Sequence, residues 1–190
     1  MLKSVYIIES LRAVEFYERC LDGFAANEMV KLLGVRSEYR HALDRKHLKR
    51  AIDEAAAGDF EVIHLSAHGD RAGVELTDGT QLGWAELAEM LRPAAGPTKS
   101  LVMATCEGGD AKLAKALQKS CVMFGYIFGS TAESVSFPDS CLAWSILYNR
   151  LVDHGFERDA LQTTLEAVNA AIEGDFVYRR WTGKQFKHYP

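Results

Sequence analysis

The sequence has few prolines and few cysteines, four of each in 190 residues, and it has no long apolar run. Four cysteines are too few for a disulfide-dense small protein, and a hydrophobic content of 48% excludes an intrinsically disordered chain. A chain of this length buries about 70% of its unfolded surface, so its core needs no disulfide or metal ion. We therefore predict one folded domain over residues 1–190.

An excess of positive charge is also lacking, because 22 basic residues stand against 26 acidic residues and the net charge is −4 at pH 7. Proteins that bind nucleic acids normally carry a basic excess, so we expect no nucleic-acid partner. The first apolar run, Val5–Ile8, is four residues long, whereas a membrane span needs about 20. We therefore expect no membrane association, no targeting segment and a cytoplasmic location.

The cysteines lack the spacing of a metal site. Cys20, Cys106, Cys121 and Cys141 are separated by 86, 15 and 20 positions, which differs from the CxxC pairs of zinc sites. We therefore expect no metal ion and no other cofactor. In a reducing compartment each cysteine is either a small buried apolar side chain or a reactive thiol. We interpret Cys121 and Cys141 as core residues, the first in a strand and the second on an apolar helix face.

What the sequence does contain is an alternation of strand-like and helix-like segments, with a hairpin around Asp78-Gly79. The predicted strands are Ser4–Glu9, Ser37–Leu43, Phe60–Ala67, Ser100–Thr105, Cys121–Phe128 and, as the last strand at the sheet edge, Phe176–Trp181. The predicted helices are Phe24–Leu33, Arg45–Ala57, Trp84–Leu91, Asp110–Lys119, Asp139–Asp153 and Asp159–Ile172. This order favours crossover connections, so we predict a three-layer α/β sandwich with a mostly parallel central sheet flanked by helices.

Two chemically active residues follow central strands of the predicted sheet. His68 precedes Gly69 at the end of one strand, and Cys106 follows the strand that ends at Thr105. Sites in open parallel sheets form beyond the carboxyl ends of the strands. A thiol before a Gly-Gly turn and a helix N-terminus is suited to nucleophilic attack, and a histidine can serve as base and then as acid. The alternative is that both residues are structural, as a lone cysteine or histidine in a turn commonly is.

A resemblance favours the first interpretation. The segment Val62–Gly69 (VIHLSAHG) resembles the strand–Ser-x-His-Gly motif of caspase-like cysteine peptidases, and Leu101–Gly109 (LVMATCEGG) resembles their strand–Cys-x-Gly motif. The similarity extends over roughly residues 60–173 and is strongest to the bacterial CHAT peptidases. It implies a caspase-like fold, with Cys106 as nucleophile and His68 as general acid/base. It also implies that the backbone N–H groups of Gly69 and Cys106 form the oxyanion hole.

The substrate pocket is less well defined by the resemblance. The chain has Ala132 where CHAT sequences often have tryptophan, and Gly108 where they often have threonine. Several carboxylates fall near the expected rim, and an acidic pocket favours Lys or Arg before the scissile bond. We interpret Asp110 as a helix cap, so the candidate pocket residues are the remaining four carboxylates: Asp70, Glu107, Glu133 and Asp139.

Two functions of different classes follow from the sequence. The first is a cysteine endopeptidase that cleaves a protein or peptide partner, in bacterial signalling or defence, and is activated by a partner or by dimerisation. The alternative is a non-catalytic caspase-like or flavodoxin-like module that binds a protein. The two differ in whether Cys106 is a reactive nucleophile.

Overall fold

A mixed sheet of nine strands forms the centre of the computed structural model, which describes residues 1–189. The strands are β1 (Ser4–Ser10), β2 (Arg36–His41), β3 (Val62–Gly69), β4 (Gly73–Glu75), β5 (Gln81–Gly83), β6 (Gly96–Ala104), β7 (Phe124–Ser130), β8 (Phe176–Trp181) and β9 (Phe186–Tyr189). The helices are α1 (Ala13–Glu18), α2 (Asp22–Leu32), α3 (Arg45–Ala57), α4 (Trp84–Leu91), α5 (Ala111–Lys119), α6 (Phe137–His154) and α7 (Arg158–Ala171).

The main strand order is β2-β1-β3-β6-β7-β8-β9, and the first five of these strands run parallel. β8 and β9 extend the sheet in antiparallel fashion, and the small β4–β5 hairpin pairs with the end of β3. β1, β3 and β6 are buried along most of their length, as central parallel strands are. The carboxyl ends of β1, β3 and β6 therefore meet at one edge of the sheet.

Helices cover both faces of the sheet. α3, α4 and α5 pack their apolar residues on one face, where Leu48, Leu87 and Leu113 belong to a single core cluster. α2, α6 and α7 cover the opposite face, in a second cluster that contains Trp144 and Leu165. The predicted three-layer sandwich with a mostly parallel sheet is confirmed.

Several helices and turns begin or end at residues whose side chains or backbone favour that boundary, as the sequence predicts. The side chains of Asp44 and Asp110 accept hydrogen bonds from the first turns of α3 and α5, which satisfies N–H groups that have no partner within the helix. Gly79 takes a positive φ of 83° in the turn between β4 and β5, a conformation that glycine adopts without steric cost. No helix in residues 1–189 is both long enough and apolar enough to cross a membrane.

Five sequence expectations were wrong in detail. The predicted edge strand Phe176–Trp181 is β8, and β9 lies outside it. α1 was not predicted, because none of its six residues is buried and no apolar period marks it. β6 begins at Gly96 rather than at the predicted Ser100, and β7 begins at Phe124 rather than at the predicted Cys121. Cys121 therefore lies in a turn, exposed and with a φ of 54°, rather than in the core.

Candidate active site

The pairing of β3 with β6 brings His68 and Cys106 to the same edge of the sheet. Ser66 lies opposite Ala104 in this parallel pair. His68 lies two residues after Ser66, and Cys106 lies two residues after Ala104, in the turn that follows β6. The sequence reasoning required the two strands to be neighbours, and the sheet order makes them so.

The backbone around Cys106 is tightly packed against Gly69. A Cβ atom at Gly69 would lie 2.8 Å from the carbonyl oxygen of Cys106 and 3.0 Å from Cβ of Thr105, so only glycine fits there. Glu107 has a φ of 56°, a conformation uncommon for a residue with a side chain and often found near functional sites. Among residues 1–189, no acceptor receives the N–H of Cys106, whereas the N–H of Glu107 donates to the carbonyl of Ala132. One N–H donor therefore remains available next to the thiol.

Both residues line a cavity of about 330 Å³, which we call the edge cavity. Its walls come from the ends of β3 and β6, from the start of α6 and from the segment before it, Ser134–Ser136. His68 and Cys106 are partly exposed at its mouth, whereas Asp22, Ser140 and Trp144 are buried parts of its lining. The cavity thus has a largely apolar surface, and the carboxyl group of Asp22 is part of its lining.

Asp22 is held by hydroxyl groups from two elements on either side. Ser66 of β3 donates to Oδ1 at 2.5 Å, and Ser140 of α6 donates to Oδ2 at 2.7 Å. Asp22 is 4% exposed, and this burial raises its pKa, while the two serine hydroxyls oppose that effect. Within residues 1–189 it makes no salt bridge, so the edge cavity presents a carboxylate without a cationic partner.

His68 has a carboxylate partner on the side of α1. Its Nε2 lies 2.6 Å from Oε1 of Glu15, and the imidazole also contacts the ring of Phe137 edge-on, with 5.9 Å between ring centroids. The other oxygen of Glu15 accepts the backbone N–H of Arg12, and Arg12 in turn pairs with Glu75 on β4. Glu15 is therefore fixed, and it defines which nitrogen of His68 remains free.

The four carboxylates proposed from the sequence as pocket residues do not line the edge cavity. Asp70 accepts the N–H groups of Ala72 and Gly73 and so closes its own turn. Glu107 and Glu133 both pair with Arg71, and Glu107 is otherwise buried.

Asp139 lies in the first turn of α6. Its carboxylate accepts the hydroxyl of Ser136, and its own N–H donates to the same hydroxyl, so its contacts are those of a helix start. Asp110 caps α5 as predicted. Asp70, Asp110 and Asp139 therefore bond within their own turns, whereas Glu107 and Glu133 bond to the distant Arg71.

Sequence reasoning missed Asp22 and Glu15. Both lie in the connection that follows β1, and the carboxyl-edge rule, applied to β1 as it was to β3 and β6, would have pointed to this connection. Asp22 also begins α2, where an aspartate reads as an ordinary helix-start residue.

The other histidine of β3 is structural. His64 is fully buried on the face that carries Ser66 and His68, and its Nδ1 lies 2.7 Å from the hydroxyl of Tyr148. Burial lowers its pKa to about 3, so the imidazole is neutral. Within residues 1–189, no group of three or more His, Cys, Asp or Glu side chains is arranged to hold a metal ion.

The chain matches no family model and no curated protein sequence. It is similar in structure to the Arg-specific cysteine proteinase gingipain R, with a TM-score of 0.58 and 12% sequence identity. The alignment covers 92% of this chain and 43% of the gingipain chain, so this chain spans less than half of that protein. Since gingipain R is a caspase-like proteinase, the predicted caspase-like fold is confirmed.

Proposed function

We propose that the protein is a caspase-like cysteine endopeptidase of the CHAT type, which cleaves a protein or peptide substrate after a basic residue. One observation carries this proposal. His68 and Cys106 follow the last paired residues of two neighbouring strands and line one cavity together with Asp22, a buried acid that makes no salt bridge within residues 1–189.

The chemistry follows from the positions of these groups. The thiolate sulfur of Cys106 attacks the scissile carbonyl carbon, and the resulting oxyanion receives N–H groups from Cys106 and Gly69. His68 carries the proton of the thiol and delivers it to the leaving amine as the C–N bond breaks. A water molecule, deprotonated by His68, then hydrolyses the thioester and releases the carboxylate product together with the free thiol.

Glu15 acts on this reaction through His68. Its carboxylate holds Nε2, which leaves Nδ1 free to exchange a proton, and it stabilises the imidazolium that forms during the reaction. Glu15 is therefore a positioning residue and has no contact with the reacting carbonyl. Its place corresponds to the third member of a nucleophile–histidine–carboxylate arrangement.

Asp22 is the residue that we propose selects the substrate. A lysine or arginine side chain before the scissile bond would enter the edge cavity with its charge towards Asp22, and the apolar walls would cover its methylene groups. A buried carboxylate that has no cation of its own favours a cationic ligand over a neutral one. The Arg specificity in the name of gingipain R supports this choice.

The central experiment measures cleavage of fluorogenic tetrapeptides that differ only in the residue before the scissile bond. We expect arginine and lysine to be cleaved and aspartate to be rejected. Cys106→Ala should abolish cleavage, and Cys121→Ser, a change at the exposed turn cysteine, should leave it unchanged. Activity that survives Cys106→Ala would refute the assignment of the nucleophile.

The non-catalytic alternative has a separate readout. An arginyl acyloxymethyl ketone should alkylate Cys106 in preference to the other three thiols, and peptide mapping would locate the adduct. If the folded protein cleaves no substrate and the reagent labels only the exposed Cys121, the chain is an interaction module. A role in bacterial signalling or defence, and activation by a partner or by dimerisation, belong to the same proposal.

A further inference from the structure

A second buried carboxyl group, that of Glu9 on β1, lies next to the residues that hold Asp22. Parallel pairing places Glu9 beside Ser66 on one neighbouring strand and beside His41 on the other. Ser66 is the residue whose hydroxyl donates to Asp22. Glu9 is fully buried, which is costly for a carboxyl group unless its surroundings compensate.

The two acids are joined through the first turn of α2. Oε1 of Glu9 accepts the backbone N–H of Gly23 at 2.7 Å, and Gly23 follows Asp22 directly. A Cβ at Gly23 would lie 2.9 Å from this oxygen and 3.2 Å from Cβ of Ser66, so α2 is packed closely against both. The positive end of the helix dipole stabilises one negative charge at this turn, but two carboxyl groups compete for it.

In the part of the chain that the structure describes, the remaining groups around Glu9 supply hydrogen bonds, and none forms a salt bridge with it. From β2, the hydroxyl of Tyr39 donates to Oε2 of Glu9 and also lies 3.2 Å from Nδ1 of His41. From α2, the facing acid is Asp22, whose charge raises the pKa of Glu9. From α6, the thiol of Cys141 lies close enough to Asp22 for the same charge to contribute to the raised pKa of that thiol. β3 contributes the neutral His64 and, at the cavity mouth, His68.

We propose that Glu9 and Asp22 act as one coupled acid pair, in which Glu9 is a positioning residue that adds a second negative charge beneath the cavity when a cationic side chain is bound. This rests on the proposed function, because it concerns selection of a basic residue by the edge cavity. Asp22 contacts the cation, and Glu9 responds to it by losing its proton. Selection of arginine over a neutral side chain of equal shape is then stronger above neutral pH than below it.

Burial raises the pKa of Glu9 to about 7, which places its ionisation in the range where selectivity can be measured. The test compares two peptides that differ only in having arginine or citrulline before the scissile bond. The ratio of their kcat/KM values, measured from pH 5.5 to 8.5, cancels the titration of the catalytic residues because both peptides use them equally. For the unaltered protein we expect the ratio to rise about tenfold through neutral pH, which corresponds to a displacement of one pH unit in the pKa of Glu9 by the bound cation.

Two variants move this rise in different ways. Glu9→Gln should remove it, so that the ratio stays flat from pH 6 to 8.5. Tyr39→Phe should shift it to higher pH, because the anion of Glu9 loses the hydroxyl that stabilises it. A merely structural role would lower activity in both variants and leave the pH dependence of the ratio unchanged. An unchanged rise in Glu9→Gln would overturn the proposal.

The proposed function can fail separately, through cleavage of neither peptide by the unaltered protein or equal cleavage of both at every pH. The coupling is then read in the free protein from the ¹³C resonance of the Glu9 carboxyl group. In Asp22→Asn the midpoint of its titration should fall, because the neighbouring negative charge is gone. A midpoint that does not move would refute the acid pair, whatever the protein does to peptides.

Discussion

The replacement of Glu9 by glutamine should make the protein more stable, and only above mildly acidic pH. Burial raises the pKa of this carboxyl group from its ordinary 4.5 to about 7. The folded protein therefore holds the proton more tightly than the unfolded chain does. Stability falls as pH rises through this interval, since the unfolded chain ionises first, and the loss is complete above pH 7.

The size of the loss follows from the two pKa values. A difference of about 2.5 pH units, at about 1.4 kcal/mol per unit, corresponds to about 3 kcal/mol of unfolding free energy. Glutamine keeps the shape of the side chain and cannot ionise. Its carbonyl can accept the N–H of Gly23, and its amide can donate to the oxygen of Tyr39, whose own proton then turns to His41.

The assay is urea unfolding of Glu9→Gln and of the parent protein at several values from pH 4.5 to 8, both with Cys106→Ala so that no self-cleavage interferes. The unfolding free energies of the two proteins should differ little at pH 4.5. At pH 8 the unfolding free energy of Glu9→Gln should exceed that of the parent protein by up to about 3 kcal/mol. A difference that is constant across this range would refute the reasoning, because it would mean that Glu9 ionises alike in the folded and unfolded protein.

Three further predictions concern the site. Glu15→Gln should lower kcat by about 10- to 100-fold with little change in KM, because the charge-assisted bond between Glu15 and His68 is worth about 1.5–3 kcal/mol. Steady-state kinetics would check this, with Glu18→Gln, a change at an exposed residue, as the control. An effect on KM alone would contradict the prediction. Gly69→Ala should lower kcat/KM about 100-fold, because the added Cβ would lie 2.8 Å from the carbonyl oxygen of Cys106. Gly83→Ala should be tolerated, because the nearest atom to a Cβ at that position is 3.8 Å away. Equal activity of the two variants would contradict this prediction. Asp22→Asn should reduce kcat/KM for arginine peptides by about 30- to 1,000-fold, the equivalent of about 2–4 kcal/mol. Glu133→Gln should leave the selectivity for arginine within about twofold of the parent value. A large effect of Glu133→Gln with none of Asp22→Asn would contradict the assignment of Asp22 and favour a pocket formed by the rim carboxylates.

Local chemistry made the frame of the fold predictable. α3 and α4 have the predicted bounds, because an Asp44 cap, a Gly58 end and a regular apolar period are signals carried within one stretch of chain. β8 was predicted with the right bounds but with the wrong place in the sheet, because position depends on β9, a segment whose pairing no local signal reveals. α1 has no buried residue and therefore left no pattern to read.

The candidate site divides in the same way. The sequence alone singled out His68 and Cys106, since each follows an apolar strand and stands near glycine. It could not show which carboxyl groups lie near His68 and the edge cavity, and it selected four that fall near the expected rim. In the folded protein those four bond within a turn, to an arginine or at a helix start. The carboxyl groups that lie in the edge cavity and beside His68 are those of Asp22 and Glu15, from the connection after β1. Strand order and register determine such contacts between distant residues, and they arise only when the whole sheet is assembled.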